Sequence, residues 1–114
     1  GPDEQLVSGL AMGADGGIGG TYAVMPELYL KIEELTKAGK IAEAQKIQYA
    51  ADAIIYAMCE CHGNLYAVMK EILRMREGLD IGGVRKPLPN LVPEDMEQVK
   101  KCAAMIDAAV KAYC

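Results

Sequence analysis

Clustered cations are scarce in this chain. Only Arg85-Lys86 and Lys100-Lys101 set basic residues side by side, and the net charge is -4. That balance excludes nucleic acid and anionic membrane as expected partners, because polyanionic surfaces select for grouped Lys and Arg. Long apolar runs are missing as well: none approaches the roughly 20 residues that a helix needs to cross a bilayer. No charged start followed by an apolar stretch opens the chain, whose first residues GPDEQL are acidic and polar, so no secretion signal is read and the cytoplasm is the expected compartment. The cysteines, at 59, 61, 102 and 114, lack the framework spacing of small secreted domains, which predicts reduced thiols. Cys59, Cys61 and His62 resemble a metal cluster at first sight. Residues two apart on a helix are turned by about 200°, however, so the thiols diverge and no metal is expected there. Cys102 falls on an apolar stripe and reads as a small buried hydrophobe.

What is abundant is apolar and small. With 114 residues, 52% of them hydrophobic and 25% charged, the chain has room for one core and is not disordered. Residues 13 to 22 read GADGGIGGTY, five glycines in the first eight positions, directly before an amphipathic helical run. Glycine at such density serves a backbone that must bend unusually or approach something closely. A helix after it would offer unpaired amides to an anion, while a tight connection between two helices is the plainer alternative.

Most of the remaining chain is patterned for helices. Asp3 to Met12 suits a first helix, with Leu6, Val7 and Leu10 on one face, ended by Gly13. Gly17-Ile18-Gly19 is at most a short strand stub, and Thr21 is placed to cap the next turn. Pro26 starts a helix that runs through Leu28, Ile32 and Leu35 to Ala38, closed by Gly39. Ala44, Ile47, Ala51, Ile54, Ile55 and Met58 predict a long helix from Ile41 to about Cys61, interrupted by Gly63-Asn64. Leu65, Val68, Met69, Ile72 and Leu73 predict another that stops before Gly78. Leu79 to Leu91, with two glycines and two prolines, reads as an ordered connection, for which Arg85 is the expected anchor. Pro93 then begins a last helix facing inward with Val99, Cys102, Ala103, Ile106, Val110 and Tyr113. Gly1-Pro2-Asp3 has neither an initiator methionine nor an element for its helix to pack on. It reads as the start of a piece, or as a scar of tag cleavage.

Taken together, GPDEQLVSGLAMGADGGIGGTY, the helical tail and the later VRKPL resemble the C-terminal part of N-acetylneuraminate lyases, within the wider group that includes dihydrodipicolinate synthase. The resemblance covers essentially the whole chain and is most specific over its first twenty-two positions. It implies a mostly α chain: the C-terminal part of a (β/α)8 barrel, supplying the end of strand seven, helix seven, strand eight and helix eight within residues 1–38, plus a three-helix C-terminal extension over 39–114. Gly17 to Thr21 would end strand eight. In such barrels the site lies at the C-terminal ends of the strands.

The implied reaction is aldol cleavage of a sugar acid, N-acetylneuraminate, to pyruvate and N-acetylmannosamine through a lysine Schiff base, without cofactor or metal, in a homo-oligomer that is a tetramer in the parent family. The family's catalytic lysine, tyrosine and carboxylate-binding segment all precede the positions matched here, so the chain alone is expected to be inactive. What it would supply is recognition of the sugar chain: Gly1 through its backbone, Asp3 and Glu4 as acceptors from vicinal hydroxyls, and Gly20, Thr21 and Tyr66 around them. Without the resemblance, Asp3 and Glu4 merely favour a helix start, and Tyr66 is a surface tyrosine. Gly20 departs from the serine that many such lyases carry, which bears on affinity or preferred sugar rather than on the barrel, and Thr21 partly substitutes for the lost hydroxyl. Lys86 has no desolvating surroundings in the sequence and is rejected as a Schiff-base former; His62 reads as a solvated helix-end residue. Two other functions stay open: a helical interaction module that has kept the ancestry without the chemistry, and an aldolase for another 2-keto acid.

Overall fold

Ala44, Ala51, Ile54 and Met58 are almost wholly enclosed, because the apolar face of their helix meets neighbours on several sides at once. That helix is α3 (Ile41–Met58), the axis about which the computed structural model of residues 1–114 is arranged. Around it stand α1 (Leu6–Ala11), α2 (Pro26–Lys37), α4 (Leu65–Glu77) and α5 (Met96–Tyr113). α2 and α5 lie against α3, α1 packs across α2 and α3, and α4 packs on α5. Short 3-10 turns at Asp3–Gln5, Gly20–Ala23 and Pro93–Asp95 complete the chain.

One core runs through both the first 38 residues and the rest: Leu28 and Ile32 of α2 join Ile54 and Met58 of α3, Ile72 of α4 and Ile106 of α5. Each such side chain fully buried is worth about 1.5–3 kcal/mol over its exposed state. The sequence signals explain the ends. Pro26 sits in the first turn of α2, where its missing N–H is no loss. Asn64 accepts from Tyr66 N at 2.9 Å and so caps α4, and Gly78 closes α4 in the left-handed conformation with φ 69°. At the same end Arg76 donates to Asp107 Oδ1 at 2.8 Å and to Val24 O at 3.0 Å, fastening α4 to α5 and to the turn before α2.

Three expectations are corrected. Gly17-Ile18-Gly19 forms no strand. Gly19 is extended, with φ -133° and ψ 148°, but there is no neighbouring strand to supply a ladder, and Ile18 is fully exposed. α3 ends at Met58 rather than near Cys61, because the backbone of His62 and Gly63 turns away to donate to Asp95. The 79–91 connection is not held by the Arg85 side chain. Asn90 spans it, accepting from Val84 N at 2.8 Å and donating to Val84 O at 3.1 Å, while Lys70 donates to Gly83 O at 2.7 Å. A carboxamide carries donor and acceptor side by side and so matches the two backbone groups of one residue, which a guanidinium cannot do.

Candidate functional site

The 3-10 turn at Asp3–Gln5 is pinned to α3 by Gln48, a polar residue on an otherwise apolar face. Its Nε2 donates to Asp3 O at 3.0 Å and to Asp52 Oδ1 at 3.0 Å, and its Oε1 accepts from Val7 N at 3.1 Å. Gln48 thereby fixes the point from which the Asp3 and Glu4 side chains depart. Asp3 then reaches across to the end of the glycine segment: its Oδ2 accepts from Thr21 N at 2.9 Å and from Thr21 Oγ1 at 2.5 Å. Thr21 is therefore not the helix cap expected of it. Its hydroxyl is taken by Asp3 and by the Tyr29 phenol 2.7 Å away, and Gly19, which precedes the turn, has no side chain to cap it.

Asp3, Glu4, Gly20, Thr21 and Tyr66 converge on one hollow of about 210 Å³, floored by Ile55, Leu65 and Met69. That is less than the roughly 300–1,000 Å³ of a complete small-molecule pocket, as befits one wall of a cleft. No lysine or arginine lines it. Glu4 has no hydrogen-bond partner within the chain, nor has Asp3 Oδ1. Burial pushes the nearby Asp52 carboxyl up, opposed by the Gln48 amide and reinforced by the charge of Glu4. Three carboxylates therefore crowd this end of the molecule, two of them at the hollow, and a group that enters it must bring donors. Hydroxyls do so, and a second anion would be repelled.

Close packing explains the glycines beside them. A side chain at Gly19 would run into the Asp3 carboxylate, and a Cβ at Gly20 would lie 3.0 Å from Tyr66 Cε1 and 3.4 Å from Met69 Cε. Gly1 is not brought into this hollow. It lines an adjoining open one with Gln5, Gly9 and Ala14–Ile18, and Pro2 borders both. Tyr22 and Tyr29 stack with ring centroids 4.1 Å apart and separate the carboxylates from a third, apolar hollow of about 170 Å³ between α1 and α2. Its walls, Leu6, Leu10, Tyr22, Pro26 and Leu30 among them, offer only the Glu33 carboxylate as a charged group.

Sequence reading missed Tyr29, Gln48 and Asp52. Gln48 left a signal, a polar residue beside Ile47 on the buried side of α3. Tyr29 left none, since a tyrosine next to Leu28 on an apolar face passes for core. Cys102 is buried as expected. His62 is largely exposed, with its Nδ1 3.1 Å from Asp95 Oδ1. Lys86 is exposed and lines none of these hollows.

Comparison with known proteins extends this geometry. Residues 1–107 match the model of the dihydrodipicolinate synthetase family. The chain is 61% identical over 113 residues to an N-acetylneuraminate lyase of Mediterraneibacter gnavus, covering 99% of this chain and 36% of that protein. It is 38% identical over 93 residues to the N-acetylneuraminate lyase of Haemophilus influenzae, covering 82% of this chain and 31% of that one. Among solved structures, wild-type Ruminococcus gnavus sialic acid aldolase superposes with a TM-score of 0.97 at 60% identity, over 99% of this chain and 38% of that chain. A variant of Sulfolobus solfataricus 2-keto-3-deoxygluconate aldolase superposes with a TM-score of 0.80 at 29% identity, over 98% and 38%. The chain thus spans about a third of the length of the curated relatives that it matches. Its helices match a fragment of such barrel aldolases, and the match over nearly every residue shows that the chain belongs to the dihydrodipicolinate synthetase family.

Proposed function

We propose that this chain is the C-terminal part of a Schiff-base aldolase subunit that cleaves N-acetylneuraminate to pyruvate and N-acetylmannosamine, and that it walls the polyol end of the cleft. The observation that carries this reading is the hollow itself: Asp3 and Glu4 offer unpaired carboxylate oxygens beside Thr21, Gly20 and Tyr66, with no cation among them. Such a wall accepts from several hydroxyls of one chain and repels a carboxylate, so it orients a sugar acid with its acidic, keto end pointing away.

The reaction needs an amine that condenses with the keto group, loses water to give an iminium, and draws in the electrons of the breaking carbon–carbon bond. No lysine of this chain lines the hollow, so the amine comes from the remainder of the subunit. One structure of the Ruminococcus gnavus enzyme is described as a catalytic lysine mutant, in keeping with this division. In the complete subunit residues 1–38 finish the barrel and 39–114 form its helical extension, and the subunit works in the cytoplasm as a homo-oligomer. Gly1 contributes from the adjoining hollow through its backbone.

Borohydride reduction of the complete subunit in the presence of pyruvate should give a covalent adduct by mass, and N-acetylneuraminate should be cleaved. An unmodified subunit ends the Schiff-base reading. The likeness to a 2-keto-3-deoxygluconate aldolase favours one second reading, the same chemistry on another 2-keto acid. Adduct formation together with faster cleavage of 2-keto-3-deoxygluconate than of N-acetylneuraminate would establish it.

A further inference from the structure

Thr21 Oγ1 lies within hydrogen-bond distance of both Asp3 Oδ2 and the Tyr29 hydroxyl, yet it carries one proton. An ionised carboxylate only accepts, so the threonine proton lies towards Asp3. The phenol must then donate to the threonine oxygen, and the direction of the whole chain is fixed: Tyr29 to Thr21 to Asp3. Tyr29 is 4% exposed and Thr21 2% exposed. Tyr22 covers the Tyr29 ring, and the phenol has no other partner in the chain. Burial pushes the Tyr29 phenol far up from its ordinary value, against the Thr21 hydrogen bond, so it remains a donor throughout the neutral range.

The consequence falls on the carboxylate. Oδ2 receives two donors from Thr21, the backbone N–H and the hydroxyl, while Oδ1 receives none and lies beside Gly19, where any Cβ would occupy its space. We infer that Tyr29, which does not line the hollow, is a positioning residue: through the Thr21 hydroxyl it holds the Asp3 carboxylate so that its unengaged oxygen, Oδ1, is the one left for a ligand hydroxyl. This rests on the reading of the hollow as a polyol wall and adds to it the residue that orients the acceptor.

The test compares Y29F, T21V and T21S in the complete subunit. Each is measured for KM and kcat in N-acetylneuraminate cleavage and for borohydride trapping with pyruvate, which has no hydroxyl chain to reach this wall. T21V should raise KM about ten-fold and Y29F about three-fold, as the loss of a charge-assisted hydrogen bond and of its orientation implies. kcat should move less than KM, and pyruvate trapping should match the wild type. T21S, which keeps the hydroxyl, should bring KM back towards the wild-type value. A purely structural role would lower the melting temperature and the active fraction and leave KM where it was; that result, with adduct still forming, overturns the inference alone. A wild-type subunit that forms no adduct overturns the aldolase reading, and the inference with it. Y29F is nearly isosteric and keeps the test decisive if T21V does not fold.

Discussion

Asp3 and Asp95 are both aspartates in 3-10 turns that lead into helices, and both gather donors from a distant stretch of chain, yet only one has anything left to offer. Asp95 is buried. Its Oδ1 accepts from His62 N at 2.7 Å and faces His62 Nδ1 at 3.1 Å, and its Oδ2 accepts from Gly63 N at 3.0 Å and Val92 N at 3.1 Å. Every donor but one is backbone, and both oxygens are engaged. Asp3, half-buried, spends one oxygen on Thr21, keeps the other unpaired, and lines a hollow. On the proposed function, the difference separates a carboxylate that only builds a junction from one that also keeps an acceptor for a ligand. Satisfied polar groups hold a fold, and a fixed acceptor with a lone pair free at a concave surface recognises a ligand.

The sharpest way to break this contrast is to delete the engaged carboxylate. Asp95→Ala leaves three backbone N–H groups without acceptors, that of Gly63 buried and those of His62 and Val92 part-buried, so thermal unfolding followed by circular dichroism should show a melting temperature lower by on the order of 10 °C, and Asp3→Ala should cost clearly less. Equal losses would dissolve the distinction. The same carboxylate leaves a mark in the pH profile. Burial would push its pKa up, but the backbone N–H groups of His62, Val92 and Gly63 and the His62 ring more than offset this and hold it at about 2, against an ordinary 3.8. Its folded pKa lies below its unfolded one, so its stabilisation is complete above about pH 4 and is lost as the pH falls towards 2. The melting temperature of the wild type should fall across that window more steeply than that of Asp95→Asn.

Glycines sharpen the comparison next. A Cβ at Gly63 would lie 2.9 Å from both the Cα and the N of Leu91, two backbone atoms that cannot step aside, so Gly63→Ala should lower the melting temperature by on the order of 5 °C. Gly20 beside Asp3 meets only the far ends of Tyr66 and Met69. Gly20→Ala should therefore shift melting by less than about 2 °C, a change seen more readily in ligand affinity than in the melting curve. A large loss of stability at Gly20 would make the glycine segment a structural joint and not a site.

Much of this was legible from spacing. The five helices follow the apolar periodicity and their glycine, proline and asparagine punctuation, because helix ends are decided within a few residues. Five of the six expected site residues meet at one hollow, but the resemblance to the lyases marked them and their spacing did not: by spacing alone Asp3 and Glu4 are helix-start residues and Tyr66 is a surface tyrosine. What spacing could not convey lies across the chain. Thr21 serves Asp3, eighteen residues earlier, and Asp95 serves His62, thirty-three residues earlier, so both looked like ordinary helix-start residues. The expected strand stub failed for the complementary reason, since extended backbone becomes a strand only when another chain segment lies alongside.

The bond between Asp3 and Thr21 gathers the exposed stretch from Met12 to Ile18 into a handle whose two feet are tied together. A single proteolytic nick in that handle, where small exposed residues invite cleavage, would leave two peptides still laced to each other through Gln48 and the Asp3 carboxylate. The cut would show on a denaturing gel well before it showed in the shape of the molecule.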